Sequence, residues 1–377
     1  MGTALALVGD PGPLSTVMTS ATNPTPKLRI GYVPEHFSSP LLQLAAREPS
    51  IELVSCPSGT GQIMTALKEG HIHLAIALTE ALTAGIVHKK AEYKIVGTYV
   101  TSYVLVHSAL AARASAAEYF ETIRLLPSSP LNWAVAVGKE SKYQTLQDLK
   151  GEKIGISRIG SGSQVMASYM ALQQGWVDAD GKVEPLQFEV LDTFKNLRDG
   201  VNSGKAAAFV RPTPHTPHHA TPPDADHHPL PLSIQMWEHF TTKPYLSELR
   251  FISHVPTPWA SWIIVASSGV LSTPSQKTHL ISFLKDLTLS VEDFDSEASR
   301  KGKSKEFVMN QFGYPEVDVV SWLEGVSYPK NGVQKVERKT MQLTLETLEQ
   351  AGVLEPPANG QGWDLEDFVD TSVAQLV

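Results

Sequence analysis

From Leu28 onward the chain alternates short apolar runs with amphipathic stretches long enough for two or three helical turns. That rhythm is the pattern of strands joined by crossover helices, and it restricts the fold to the α/β class. Strands are predicted at 28–33, 51–56, 74–78, 95–99, 133–137, 153–157, 188–191, 251–254 and 262–266. Helices are predicted between them at 40–47, 62–69, 163–174, 193–203 and 277–294. Beyond residue 300 the pattern turns wholly helical, with predicted helices at 304–312, 316–324 and 333–351 that cap the preceding body.

Composition narrows the function. At roughly 100–200 residues per domain, 377 residues suggest two domains or one large embellished one. Hydrophobic residues at 42% and charged residues at 19% are ordinary globular usage. The balance of 31 Lys+Arg against 39 Asp+Glu, a formal charge of −8 without a long basic run, argues against nucleic acid and against an anionic membrane surface. Cys56 is the one cysteine. An intramolecular disulfide and a multi-cysteine zinc or iron–sulfur centre are therefore excluded, and a reducing compartment fits. No stretch approaches the roughly 20 apolar residues that cross a bilayer. No Lys or Arg precedes Lys27, so 1–27 reads as a disordered leader, with Met18 as an alternative start, and the expected location is cytoplasmic.

Two segments break the pattern. Residues 103–129 include an Ala-rich run of helical character inside what otherwise reads as strand and loop. Residues 211–235 hold seven prolines and five histidines, a composition that cannot form a packed element. There His218-His219 and His227-His228 bracket Asp224 and Asp226, a conceivable metal set, but a flexible tract with incidental histidines is the plainer reading. No metal or cofactor is assigned.

Two junctions carry the strongest chemical signal. Pro57-Ser58-Gly59-Thr60-Gly61-Gln62 and Ile159-Gly160-Ser161-Gly162-Ser163-Gln164 each follow a predicted strand and open a predicted helix. Backbone N–H groups and the helix dipole at such a junction favour an anion, although each could equally be a tight turn with a Ser or Thr cap. Neither is a Walker loop or a G-x-G-x-x-G turn. Polar and aromatic residues gather at other strand ends: Glu35, His36 and Phe37, Thr79 and Glu80, Asn132 and Trp133, then Trp237, Glu238 and Trp259. Strand ends are where open α/β sheets bind ligands. His36 and Glu238 are weak acid–base candidates, while a lone histidine is more often structural and a tryptophan more often core. G-x-S-x-G and H-E-x-x-H are absent, and Cys56 lacks an evident activating partner.

The order of elements through Gly59-Thr60-Gly61-Gln62-Ile63-Met64-Thr65-Ala66-Leu67 and Leu74-Ala75-Ile76-Ala77-Leu78-Thr79-Glu80 resembles the type 2 periplasmic binding protein fold. It is most similar to the branch holding sulfonate- and thiamine-precursor-binding proteins and the fungal thiamine-pyrimidine synthases. Gly31-Tyr32-Val33-Pro34-Glu35-His36-Phe37, Ser129-Pro130-Leu131-Asn132-Trp133 and Met236-Trp237-Glu238-His239-Phe240-Thr241-Thr242-Lys243 resemble an intracellular fungal group typified by a Candida albicans protein. The resemblance implies two lobes, 28–136 with 262–377 and 137–261, joined by crossover strands near 133–137 and 262–266. The lobes would close on a ligand lined by Glu35, His36, Phe37, Ser58 to Gly61, Thr79, Glu80, Asn132, Trp133, Gly160 to Ser163, Trp237, Glu238 and Trp259. The enzymatic relatives carry a cysteine-rich iron-associated run and a pyridoxal-phosphate site, and with Cys56 alone the former is missing here.

Excising 103–129 and 210–235 rejoins family-like sequence, so both read as translated introns; surface insertions, cheap in loop entropy, are the alternative. The resulting expectation is a cytoplasmic binding protein for a small anionic or heteroaromatic metabolite. The alternative is an enzyme of thiamine-pyrimidine-precursor or related heterocycle metabolism. The small-molecule ligand is the one partner expected, and oligomeric state stays open.

Overall fold

A computed structural model describes residues 27–101, 131–213, 245, 247–358 and 360–377. In Leu74–Leu78 (β3) every residue is apolar and every residue is buried, as a strand covered on both faces requires. It pairs in parallel with Leu28–Tyr32 (β1), which pairs in parallel with Ile51–Ser55 (β2). Trp262–Ser267 (β10) inserts antiparallel between β3 and Tyr93–Val100 (β4), giving the order β2-β1-β3-β10-β4.

The second sheet repeats that plan. Lys153–Ile156 (β6) lies between Gln187–Val190 (β7) and Ala208–Thr213 (β8), all parallel, and Asn132–Gly138 (β5) inserts antiparallel between β8 and Leu249–Pro256 (β9). The order is β7-β6-β8-β5-β9. In each sheet the antiparallel strand is the one entered from the other half. The chain crosses between sheets ahead of β5 and through 257–261, while β5 and β10, the expected crossover strands, each sit wholly in one sheet.

Helices Ser39–Arg47 (α1), Thr60–Lys68 (α2) and Thr79–Val87 (α3) belong to the first half, Gly162–Gln173 (α4) and Phe194–Asn202 (α5) to the second. Ser268–Ser272 (α6), Pro274–Asp295 (α7), Glu297–Lys301 (α8), Lys303–Phe312 (α9), Glu316–Gly325 (α10) and Arg338–Gln350 (α11) follow. α7 packs on α1, where Ser290 Oγ donates to the Pro40 carbonyl at 2.8 Å. α11 touches both α3 and α4, so it spans the two halves. One apolar core runs through both sheets, with a small satellite of Leu197, Val201, Phe209 and Leu249 under α5. Among the described residues no helix is long and apolar enough to cross a membrane, and no cluster of three or more His, Cys, Asp or Glu is placed to hold a metal.

All nine predicted strands are present with bounds moved by at most two residues at most ends. The expected helix 333–351 starts only at Arg338, because Lys335–Val336 (β11) pairs instead with Gln375–Leu376 (β12). Val210 and Arg211, the first residues of the second interrupting segment, pair with Val135 and Ala134, so β8 runs across that boundary. The leader to residue 26, all of 103–129 and the histidine tract lie outside the described residues.

Gly97 of β4 allows the C-terminal region to dock. A Cβ there would lie 2.3 Å from the Val333 carbonyl oxygen, which accepts the Thr98 N–H at 2.8 Å. Backbone on both sides leaves no rotamer to relieve the clash. Gly97→Ala is expected to cost about 1–3 kcal/mol, seen in urea unfolding as a lower midpoint at unchanged slope.

Candidate functional site

The shared strand order places two topological switch points opposite one another, one between β1 and β3, the other between β6 and β8. Loops diverge at such points and leave a crevice at the carboxyl ends of the strands. Here the crevices of the two sheets merge into one cavity of about 320 Å³. Its walls combine helix starts with aromatic rings, and the two meet where Gly162 lies against Trp133.

At the polar end, α2 and α4 begin with the same device. Gly59 and Gly160 both hold φ of 79°, a left-handed turn that swings the chain into the helix. The Gln62 side chain accepts the Ser58 N–H at 2.9 Å and the Gln164 side chain accepts the Gly160 N–H at 2.6 Å. Thr60 and Gly61, and Gly162 and Ser163, are thereby left as first-turn residues whose N–H groups have no intrahelical acceptor. α5 adds a third start, capped by the Thr193 hydroxyl on the Asn196 N–H at 3.2 Å. Each start carries roughly half a positive charge. Arg158 closes this end: its guanidinium pairs with Asp192 at 3.1 Å while its stem lies on Gly61, where a Cβ would meet Arg158 Cδ at 2.4 Å.

Trp133, Trp262, Leu78 and Leu131 form the apolar end. Gly162 sits between the halves here, for a Cβ would meet Trp133 at 2.7 Å, Leu78 at 2.9 Å and Glu80 Oε1 at 3.2 Å. Thr60 Oγ1, Trp133 Nε1 and Trp262 Nε1 are buried and have no hydrogen-bond partner among the described residues, although all three residues line the cavity. Orphaned buried polar atoms are costly, and a ligand supplying acceptors removes the cost. Glu35 and Arg211 also line the cavity and act on one another by charge, and the Arg211 guanidinium lies over the Phe194 ring at 4.1 Å. Burial raises the Glu35 pKa and the Arg211 charge opposes the shift.

Of the residues expected at a cleft, Glu35, Ser58, Gly59, Thr60, Gly61, Trp133, Ser161, Gly162 and Ser163 line this cavity. Gly160 supports the turn but does not border it, and of Asn132 the structure describes the backbone, in β5. Trp237 and Glu238 lie outside the described residues. His36, Phe37, Thr79, Glu80 and Trp259 are sealed instead. The His36 ring is packed against Phe37, Tyr314 and Trp322, and burial drops its pKa to about 3, so it stays a neutral imidazole away from the cavity and unsuited to acid–base work there. Phe37 stacks towards Trp262, and the Thr79 hydroxyl donates to the Ala260 carbonyl. Cys56 is buried, and burial raises its pKa, which keeps it a thiol. Sequence reasoning missed Arg211, Asp192, Thr193, Phe194 and Trp262. Asp192-Thr193 had the same strand-to-helix signature as the two glycine junctions.

Known proteins share this fold. Residues 133–213 match the model of a family described as Ca3427-like PBP. The structure aligns with the Candida albicans CA3427 gene product, described as exhibiting the generic periplasmic binding protein fold, at a TM-score of 0.67 and 26% identity over 94% of this chain and 99% of that one. The chain has the periplasmic binding protein fold. The ligand-binding component of an ABC-type import system from Staphylococcus aureus, with zinc bound, shares the fold at a TM-score of 0.57 and 15% identity, covering 93% of this chain and 98% of that one. So does the alkanesulfonate-binding protein SsuA from Xanthomonas axonopodis pv. citri bound to MOPS, at 0.54 and 17% over 94% and 99%. No curated protein matches the sequence. The binding-protein resemblance in the sequence motifs is thus the one the comparisons return.

In this binding-protein fold Glu80 occupies the junction of the halves. It is fully buried on α3, and its Oε2 accepts the Trp259 Nε1–H at 2.9 Å. Burial lifts its pKa from 4.5 to about 7, with hydrogen bonds opposing. The folded state therefore holds a proton that the unfolded chain has released, and stability falls as pH rises from about 4.5 to about 7. Glu80→Gln is expected to flatten that slope and gain up to about 3 kcal/mol over the parent at pH 8, by urea unfolding across pH.

Proposed function

We propose that this chain is a cytoplasmic binding protein that closes its two halves on a small metabolite with an anionic head and a flat apolar or heteroaromatic tail. The observation that carries the reading is the convergence of three helix starts and three orphaned donors, Thr60 Oγ1, Trp133 Nε1 and Trp262 Nε1, on one cavity of about 320 Å³. That volume lies at the small end of the range of about 300–1,000 Å³ found for small-molecule sites. The head would rest on the N–H groups of Thr60, Gly61, Gly162 and Ser163, and the tail between Trp133 and Trp262. Arg158 would latch the halves, since it reaches from the loop after β6 across Gly61 of the opposite half. Hinge closure about the two crossings would then bury the ligand.

Alkyl and aryl sulfonates, small carboxylates, phosphates and heteroaromatic phosphates are the panel to test by thermal shift and tryptophan fluorescence. A ligand at 100 times its Kd is expected to stabilise the fold by about 2.7 kcal/mol, a rise of several degrees. Gly61→Asp, which adds a negative charge at the start of α2 and displaces Arg158, is expected to abolish the rise. Recovery of the bound compound unchanged supports binding; its consumption would turn the reading towards an enzyme. A cooperative melt with no shift across the panel would overturn the proposed ligand class.

A further inference from the structure

We propose that Glu35 selects a ligand that carries, besides its anionic head, a hydrogen-bond donor, an ammonium or N–H. The inference rests on the binding reading above and narrows it to a class: zwitterions or N–H-bearing anions rather than anions that only accept hydrogen bonds. Glu35 follows β1 at the switch point of the first sheet, and Arg211 comes from β8 at the switch point of the second. Both line the same cavity as the helix starts and the tryptophans, and the Arg211 charge acts on Glu35.

The charges lining the cavity are few. Among the described residues they are Glu35, Asp192 and Arg211, and Asp192 is held by Arg158 at 3.1 Å. Two carboxylates thus meet two guanidiniums, and no formal positive charge is left for an incoming anion. Attraction for the head comes from neutral donors and helix dipoles. Arg211 is also engaged from below by the Phe194 ring, which Arg198 approaches at 4.8 Å. An acceptor-only anion would bring a second negative charge near a half-buried carboxylate, where the low dielectric magnifies repulsion. A ligand that also carries an ammonium reverses the sign of that contact and gives the carboxylate a charge-assisted hydrogen bond. The remaining orphans, Trp133 Nε1 and Trp262 Nε1, are donors and cannot satisfy the ligand's own donor. Of the two lining carboxylates Asp192 is already paired with Arg158, which leaves Glu35 as the carboxylate acceptor for it.

The test uses the full chain, isothermal calorimetry at pH 7.5, and two probes that differ by one group: 2-phenylethanesulfonate and 2-amino-2-phenylethanesulfonate. The amino compound is expected to bind about tenfold to a hundredfold tighter. In Glu35→Gln with an unchanged melt the ratio should fall towards one, and Glu35→Asp, which keeps the charge, should retain the preference. Equal or tighter binding of the plain sulfonate by the parent overturns the selectivity while leaving the cleft reading intact. A full preference in folded Glu35→Gln overturns the role of Glu35. Failure of both probes to bind overturns the cleft as an anion site, and this inference with it.

Discussion

Three helices bring their positive ends to one narrow cavity, and the architecture has to hold that arrangement against repulsion. Two sheets of the same strand order, set carboxyl edge to carboxyl edge, make the opposition unavoidable, because every crossover helix in a parallel sheet starts at that edge. Apolar contact supplies the restraint. Gly162 rests on Trp133, Leu78 and Glu80, and α11 lies against both α3 and α4, so the halves are pinned on the side of the tryptophans. At the other side Arg158 and Asp192 place a neutralising pair between the starts. An anion between α2 and α4 relieves what remains, so the fold and the proposed ligand answer one electrostatic need.

Burial sorts the polar residues at the strand ends into two sets. Glu35 and Arg211 face the cavity and can exchange partners with a ligand. Glu80 and His36 are closed off in the core, and burial shifts both towards their neutral forms, His36 by a lowered pKa and Glu80 by one raised to about 7.

The strands were legible in the sequence because each is a short apolar run bounded by turn residues. The two glycine junctions were legible because a glycine turn running straight into a Ser- or Thr-bearing helix start is a narrow local pattern with a definite geometry. The direction of side chains at a strand end was not. His36, Phe37, Thr79, Glu80 and Trp259 stand in the expected positions along the chain, yet each turns into the core, where tertiary packing such as Trp322 against His36 and Tyr169 against Trp259 covers them. Helix α3 was hidden for a related reason: Thr79–Val87 is apolar nearly all round and follows β3 without a loop, so no periodicity announces it. Arg211 was missed because proline and histidine around it gave the composition of an unstructured tract, while strand pairing with β5 overrides that local signal.

The position of β10 also orders the assembly of the molecule in time. Strands β5 to β9 occupy one continuous stretch, from Asn132 to Pro256, so the second sheet can close as soon as that stretch has left the ribosome. The first sheet cannot. β3 and β4 flank β10, which emerges more than 150 residues later than either, and until then both present unpaired edges. A half begun first is therefore finished last, its nascent strands shielded only by their helices or by a chaperone, and slow synthesis through the second half would lengthen the interval in which those edges can pair wrongly.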